Sequence, residues 1–351
     1  MQLVEMYING VGCISPQPTF DNSSFLEEVK EYTTNRIYCV EGNHSEFFDV
    51  TSLRRMSRIV KFGTAAGLIA LRDAGIKTPE AISTGTGYGL LELSQRFLRD
   101  FISSSEGVVS PTSFIQSTHN TVSSNIALLT GCHEHNNTFS QKGISVESTW
   151  YDAQFLLNEG KKNVLVGSYE EIGEFNYSSL MQNKELLPEP CSNMAILNGQ
   201  HQGTIVGEGA AFFLVSKEKS NNTYCRLLAH QTVYREPNIE QALLQFLEQS
   251  NIAVADIDIV LSGLNGDAQN DAPLHAINQK CFGNATLLGF KHLCGEYMTA
   301  SSFAMYIIAQ ILQKQFIPKP LLLRNANRPI GKVLLHNNFK HYHSFFLFEK
   351  C

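Results

Sequence analysis

The sequence predicts a layered α/β fold, and three observations carry that expectation. Short apolar runs bounded by glycine alternate with segments of helical periodicity. One such run, Lys162 to Ser168 (KNVLVGS), is compact and bounded by charge and glycine, as a buried parallel strand should be. One helical segment, Ile59 to Ala74, is apolar enough to be buried on several faces.

Taken in order, Tyr7 to Ile14 (YINGVGCI) reads as the first strand, and Ile59 to Ala74 as a buried central helix. Ser110 and Pro111 read as a turn, after which TSFIQSTHNTVSSNIALLTG runs into a helix ending at Gly131. Asn137 to Glu171 has the layout of a short strand, a tight turn, a helix and a second strand ending in paired acids. Thr204 to Leu214 reads as a further strand, with the glycines of GEGAA permitting close backbone approach. The polar run Lys217 to Thr223 is the best candidate boundary and divides the chain into halves 1–219 and 220–351. Beyond it, Ile239, Ala242, Leu243, Phe246 and Leu247 form an amphipathic helix, IDIVLSG a strand, and Ala300 to Leu312 another helix. LRDAGI before one strand recurs loosely as LEQSNI before another, which hints at duplication.

Composition narrows the function classes. With 351 residues the chain can bury a sizeable core. A net charge of -6 with 17% charged residues gives no basic stripe for nucleic acid and no polybasic segment for anionic lipid. Eight cysteines are scattered singly without a CxxC pair or a His/Cys cluster at metal-ligand spacing, which predicts free thiols and no metal site. The start, MQLVEMYINGVGCISP, lacks the features of a signal peptide, and no run approaches the roughly 18 apolar residues of a membrane span. A cytoplasmic location is the expectation. GTGYG at Gly85 to Gly89 lacks the third spaced glycine and the acidic partner of a dinucleotide site, so a glycine turn is expected there and no cofactor.

Several landmarks occur in a familiar order: YINGVG, RRMSR at Arg54, GTGYG, SPTSF at Ser110, the strand after Gly160, and GTIVGEGAA at Gly203. Together they resemble the β-ketoacyl-acyl carrier protein synthases. The resemblance implies the thiolase fold: two duplicated βαβαβαββ halves in a five-layer α-β-α-β-α arrangement. It also implies a cysteine nucleophile at a helix N-terminus and two histidines that assist decarboxylation. Counting back from Gly160 puts Gly143 at the cysteine position. SGLNGDAQND (Ser262 to Asp271) matches the first histidine segment with Gly263 in its place, and KHLCGEYMTASS from Lys291 matches the second with Glu296. Lys291 and Gly295 are retained.

Neighbouring groups are poor substitutes on this reading. Ser145 has a hydroxyl but no histidine at the expected positions to activate it. His119 and His292 are expected to be ordinary histidines, Cys294 a buried structural thiol, and Glu296 an ion-pair partner of Lys291 or solvent-facing. Phe339 matches the phenylalanine of the family's GFGGTN loop, with Lys340 and His341 replacing glycines. His341 and His343 read as an alternating polar/apolar strand end. The chain is also short between Arg235 and Asn238, which implies a more open or altered pocket.

Emptied catalytic positions in a retained scaffold resemble the chain-length-factor subunits of type II polyketide systems, and SPTSFIQSTHN is similar to ketosynthase-like proteins of aryl polyene pathways. Such a subunit would pair with a Cys-bearing ketosynthase that works on acyl carrier protein. Thr138, Phe139, Ser140 and Gln141 would form the dimer strand, and Phe114, Ile115, Ser117, His119 and Asn120 would face the partner or its acyl tunnel. Chain-length factors often carry glutamine at the cysteine position, and Gln141 lies two residues early. Two other functions stay open: a divergent condensing or decarboxylating acyltransferase using Glu296, Lys291 or Ser145, and a homodimeric carrier-protein scaffold.

Overall fold

The computed structural model describes residues 5–22, 24–105, 107–109, 111–199 and 201–351. The first half contributes β1 (Met6–Ile14), α1 (Val50–Arg55), α2 (Arg58–Asp73), β2 (Ala81–Gly85), α3 (Leu91–Ser103), α4 (Pro111–Gln116), α5 (Thr121–Thr130) and β3 (His135–Phe139). It continues with α6 (Ser145–Asn158), β4 (Asn163–Glu170), α7 (Glu174–Gln182) and β5 (Gly209–Ser216). The run Lys217 to Thr223 then connects to β6 (Cys225–Tyr234), α8 (Ile239–Gln249), β7 (Ile259–Ser262), α9 (Ala268–Lys280) and β8 (Thr286–Gly289). The chain ends with α10 (Lys291–Cys294), α11 (Ser301–Lys314), β9 (Leu322–Arg324), β10 (Lys332–Phe339) and β11 (Tyr342–Glu349).

Because side chains alternate across a strand, a strand buried on both faces feeds two cores. Phe212 and Leu214 of β5 pack with Phe62 and Ile69 of α2 and Ile126 of α5. Ala211, Phe213 and Val215 point the other way, to Trp150 of α6 and Phe303 and Ile307 of α11. On the far side Val333, Leu335, Phe346 and Phe348 join that same central cluster, while Leu334, Phe345 and Leu347 meet Leu243 and Phe246 of α8 and Ile277 of α9. Five layers result, with α6 and α11 in the middle. Every residue of α11 from Ser301 to Leu312 is buried, as a helix covered on both sides requires.

The strand order is β3-β2-β4-β5-β1-β6-β11-β10-β7-β8-β9. Outward from the β1–β6 junction, the sequence β1, β5, β4, β2, β3 has its counterpart in β6, β11, β10, β7, β8. The directions repeat as well: β5 runs antiparallel to both its neighbours, as does β11, and β2 and β7 sit between parallel strands. LRDAGI and LEQSNI close the helices that precede the equivalent strands β2 and β7. A short ladder from Met6–Leu227 to Ile8–Cys225 joins the two sheets edge to edge.

Two expectations need correction. The strand read from Thr204 begins only at Gly209. Thr204 and Val206 make isolated bridges to Leu186, Arg36 and Glu296 instead, and Gly207 lies so near Cys294 that a Cβ there would sit 1.8 Å from its carbonyl oxygen. Pro111 opens α4 rather than a turn, a position where its missing N–H costs nothing, whereas Ser110 lies outside the described residues. Among the described residues no helix is long and apolar enough to cross a membrane.

Candidate functional site

The chain leaves β3, passes a 3₁₀ turn at Lys142–Ile144 and enters α6, so Gly143 is held at the helix entrance. Lys142, just before it, adopts φ +54°, a left-handed conformation that costs a non-glycine residue about 1 kcal/mol. Gly143 is buried beneath two aromatic rings: a Cβ here would lie 3.1 Å from Phe339 and 3.1 Å from Tyr342. Tyr342 is itself stacked on Tyr234, with ring centroids 4.6 Å apart. The space beside Gly143 is therefore crowded from the β10–β11 hairpin.

Ser145 does not supply a replacement. Its hydroxyl accepts the Gln141 N–H at 2.9 Å and reaches the carbonyls of Lys142 at 2.7 Å and Thr86 at 3.0 Å. It closes the turn into α6, and none of these partners is a base.

Gly263 follows β7 and is equally enclosed. A Cβ on it would sit 2.9 Å from the side-chain oxygens of both Asn337 and Asn338 on β10. A side chain there would have to displace both amides and press on the backbone of Asn337, whose Cα lies 3.0 Å away. Lys291 and Glu296 do come together: the buried ammonium, 1% exposed, lies 2.8 Å from the Glu296 carboxylate and donates to the Asn338 carbonyl at 2.5 Å. Asn265 donates to the same carboxylate oxygen at 2.8 Å. Burial pushes the Glu296 carboxyl up while Lys291 pulls it down. Of the two readings offered for Glu296, the structure contains the ion pair.

His292 is buried with its ring nitrogen 2.9 Å from the Pro320 carbonyl, and burial draws it down to about 4. Cys294 is a fully buried thiol pushed well above its usual range by burial, and all eight cysteines are unbridged. His341 is exposed at the hairpin turn, where Lys340 takes φ +54°. His343 departs from the strand-end reading. It is 8% exposed and meets His336 with ring nitrogens 3.2 Å apart. Burial draws His343 down to about 4 and His336 well below the ordinary histidine value, so the pair is neutral. His336 was not singled out from the sequence; only the register of β10 against β11 brings the two together, with His343 opposite Asn338.

A cavity of about 850 Å³ opens beside these groups, between the loops of the two halves. Its polar end includes Asn265, Glu296, Asn338 and His343, and Tyr88, Leu186, Val206 and Met298 lie on its walls. Arg235, Pro237 and Asn238 also line it. Phe339 both lines this cavity and covers Gly143, and so separates the two. In GTGYG the N–H groups of Gly87 and Tyr88 each donate to Glu170 at 2.8 Å, so the protein's own carboxylate occupies the turn.

The residues expected to face a partner lie elsewhere. Phe114 is 57% and Ile115 64% exposed on α4, Ser117 is half-buried, and His119 and Asn120 are exposed; none lines the cavity. β3 is the outermost strand of its side of the sheet and pairs with β2 alone among the described strands. Thr138 turns inward to the hydroxyls of Thr84 and Ser123, at 2.8 and 3.1 Å, while Ser140 and Gln141 are exposed. On α5, which packs against β3, Leu128 and Leu129 are exposed, and Ile102 on α3 is exposed as well.

Solved structures share this fold along their whole length. A β-ketoacyl synthase from Burkholderia phymatum STM815 superposes with TM-score 0.80 at 14% identity, covering 99% of this chain and 100% of that one. The ishigamide ketosynthase/chain length factor gives 0.78 at 14%, covering 99% of each chain. The ketosynthase ApeO in complex with its chain length factor ApeC, from Xenorhabdus doucetiae, gives 0.78 at 14%, covering 100% of this chain and 99% of that one. No curated protein sequence matches. The family model for the N-terminal domain of β-ketoacyl synthases matches residues 45–248, more than half of the sequence, and the chain belongs to that family.

Proposed function

We propose that this chain is a non-catalytic subunit of the chain-length-factor type, which pairs with a Cys-bearing β-ketoacyl-acyl carrier protein synthase in fatty acid or polyketide biosynthesis. The observation that carries this reading is the filling of the chamber. With Gly143, Gly263 and Glu296 taken as the three family positions, Phe339 and Tyr342 crowd the first, Asn337 and Asn338 the second, and an ion pair with Lys291 holds the third. A carboxylate there opposes a developing oxyanion, and the Ser145 hydroxyl near Gly143 is engaged by backbone groups of Gln141, Lys142 and Thr86, none of them a base. Ser145, Lys291 and Glu296, the groups an enzyme reading would use, are each already engaged within the fold.

Pairing is supported by the open edge of β3 and the exposed apolar side chains of α3, α4 and α5, since edge addition and apolar burial are the means by which such surfaces associate. In this reading Thr138 to Gln141 pair with the partner's equivalent strand, Phe114 and Ile115 help set the depth of its acyl tunnel, and acyl carrier protein delivers to the partner's cysteine. Residues 1–219 and 220–351 are the two ketosynthase-like halves of one unit, working in the cytoplasm. An aryl polyene pathway is the finer assignment.

Co-expression with a ketosynthase encoded beside this chain tests the proposal. The expected result is a stable 1:1 complex in which intact mass finds acyl groups only on the partner. Acylation of this chain alone would return it to the enzymes, and a homodimer indifferent to the ketosynthase would make it a scaffold.

A further inference from the structure

His343 gives one ring nitrogen to His336 and keeps the other for the cavity. Its Nδ1 lies 3.2 Å from His336 Nε2. Its Nε2 has no hydrogen-bond partner among the described residues, yet it retains open surface in a residue only 8% exposed, and the space that His343 lines is the 850 Å³ cavity. Register explains the placement. His343 stands opposite Asn338 and Phe345 opposite His336, so these four side chains share one face of the hairpin. Phe345 of that face packs with Phe246 of α8 and Ile277 of α9. His343 therefore sits where the outer core gives way to the cavity, and Ile239 of α8 and Pro273 and Ile277 of α9 bring apolar surface to the same lining. The proton positions follow from His336, whose Nδ1 is enclosed without a partner among the described residues. An enclosed N–H lacking an acceptor is rarer in native folds than an enclosed acceptor lacking a donor, which puts the His336 proton on Nε2, donated to His343 Nδ1. Both rings are neutral, so His343 carries its one proton on Nε2, as a donor aimed into the cavity. The nearby Lys291 ammonium, 1% exposed, is held by Glu296, and this corner presents a dipole and no free charge. A ligand that excludes water here has to bring an acceptor or leave a buried N–H unmet.

We infer that this cavity binds a neutral carbonyl compound with an alkyl tail, its oxygen accepting from His343 Nε2–H and its tail lying along Ile239, Pro273 and Ile277. His336 is the positioning residue that fixes the donor. The inference concerns the chain itself and does not rest on its pairing with a ketosynthase. Titration of the full chain with octan-2-one and with octanoate, followed by calorimetry and by the nitrogen-15 resonances of labelled histidine, tests it. The expected result is saturable 1:1 binding of the ketone, about tenfold tighter than octanoate, whose charge would be desolvated beside a mere dipole. His343 should read as the Nε2–H tautomer before titration, and its Nε2 resonance should move in step with ketone saturation. His343→Phe, which keeps a ring and removes the donor, should weaken the ketone about tenfold. Ile239→Trp, which fills the cavity from the start of α8, should abolish binding, with a thermal melt confirming that each variant folds. If His343→Phe does not fold, the wild-type resonances still decide. Octanoate binding as tightly as the ketone, ketone binding that is absent or indifferent to His343→Phe, or a His343 proton found on Nδ1 would overturn the inference.

Discussion

The residues at the three family positions differ in kind from simple losses, and two predictions separate the cases. Restoring the nucleophile as Gly143→Cys should not restore acylation, because its Cβ would press on Phe339 and Tyr342 at 3.1 Å and no histidine stands by to form a thiolate. The variant should resist iodoacetamide and lose about 1–3 kcal/mol in urea unfolding, the usual range for overpacking; rapid alkylation would mean that the hairpin yields easily. Lys291 and Glu296 form a buried pair, so removing one partner strands the other. Lys291→Met should cost about 3–5 kcal/mol, and Lys291→Met combined with Glu296→Leu should recover most of it. Equal losses in the single and double variants would show that the pair contributes nothing as a pair. The assignment of Gly143, Gly263 and Glu296 to the family's three catalytic positions rests on counting along the chain, whereas the enclosure of Gly143 and Gly263 has no counterpart in the local sequence. Phe339 and Tyr342 reach Gly143 from almost 200 positions away, and Asn337 and Asn338 reach Gly263 across a parallel ladder; no local pattern encodes either approach.

At the scale of elements, periodicity identified what packing alone decides. β1, α2, α8 and α11 fall within a residue or two of their expected limits because each presents an uninterrupted apolar face or run to a core. The β10–β11 hairpin escaped that logic. Its sequence, LLHNNFKHYHSFF, puts His336, Asn337, Asn338 and His343 among apolar neighbours, and polar letters in a strand read as solvent-facing when in fact all four are buried and Asn338 and His343 line the cavity. The same logic bears on α3, α4 and α5, where the opposite anomaly occurs and apolar side chains face out. Phe97 stacks on Phe101 with centroids 6.2 Å apart and tilts against Phe114 at 5.2 Å, so α3 and α4 form one aromatic ridge. If that ridge is an interface, Phe114→Asp with Leu128→Glu should abolish co-purification with the ketosynthase. The isolated chain's stability should move by only about 0.5 kcal/mol per site, since exposed positions contribute little to the monomer. Retained co-purification would place the interface elsewhere.

For the whole molecule, the decisive feature is that one central core serves both halves. Trp150 of α6 meets Phe213 from one sheet and Phe346 from the other, at 5.5 and 6.3 Å, so neither half can lose its packing alone. Into this layer the chain places a carboxyl. Glu147, on α6, is 1% exposed and accepts the Ser301 hydroxyl of α11 at 3.0 Å, while its other oxygen has no donor among the described residues. Burial pushes it from 4.5 up to about 7, against smaller opposing hydrogen bonds from its own backbone, Ser344 and Ser301. Between those values the folded chain holds a proton that the unfolded chain releases, so this group's contribution to stability is full below about 4.5 and is lost as pH rises to about 7. The loss is on the order of 3 kcal/mol, from about 1.4 kcal/mol per pH unit. The buried histidines drawn down to about 4, His230, His292 and His343, act in the opposite direction over much of this range, and the raw pH profile mixes the two. A difference removes them. Urea unfolding of the wild type and of Glu147→Gln, compared from pH 4.5 to 8, should show the variant gaining on the wild type up to about pH 7 and then running parallel. A difference that stays constant throughout would mean that Glu147 is ionised in the folded core at all these pH values, and that the layer joining the halves is wetter than its packing indicates.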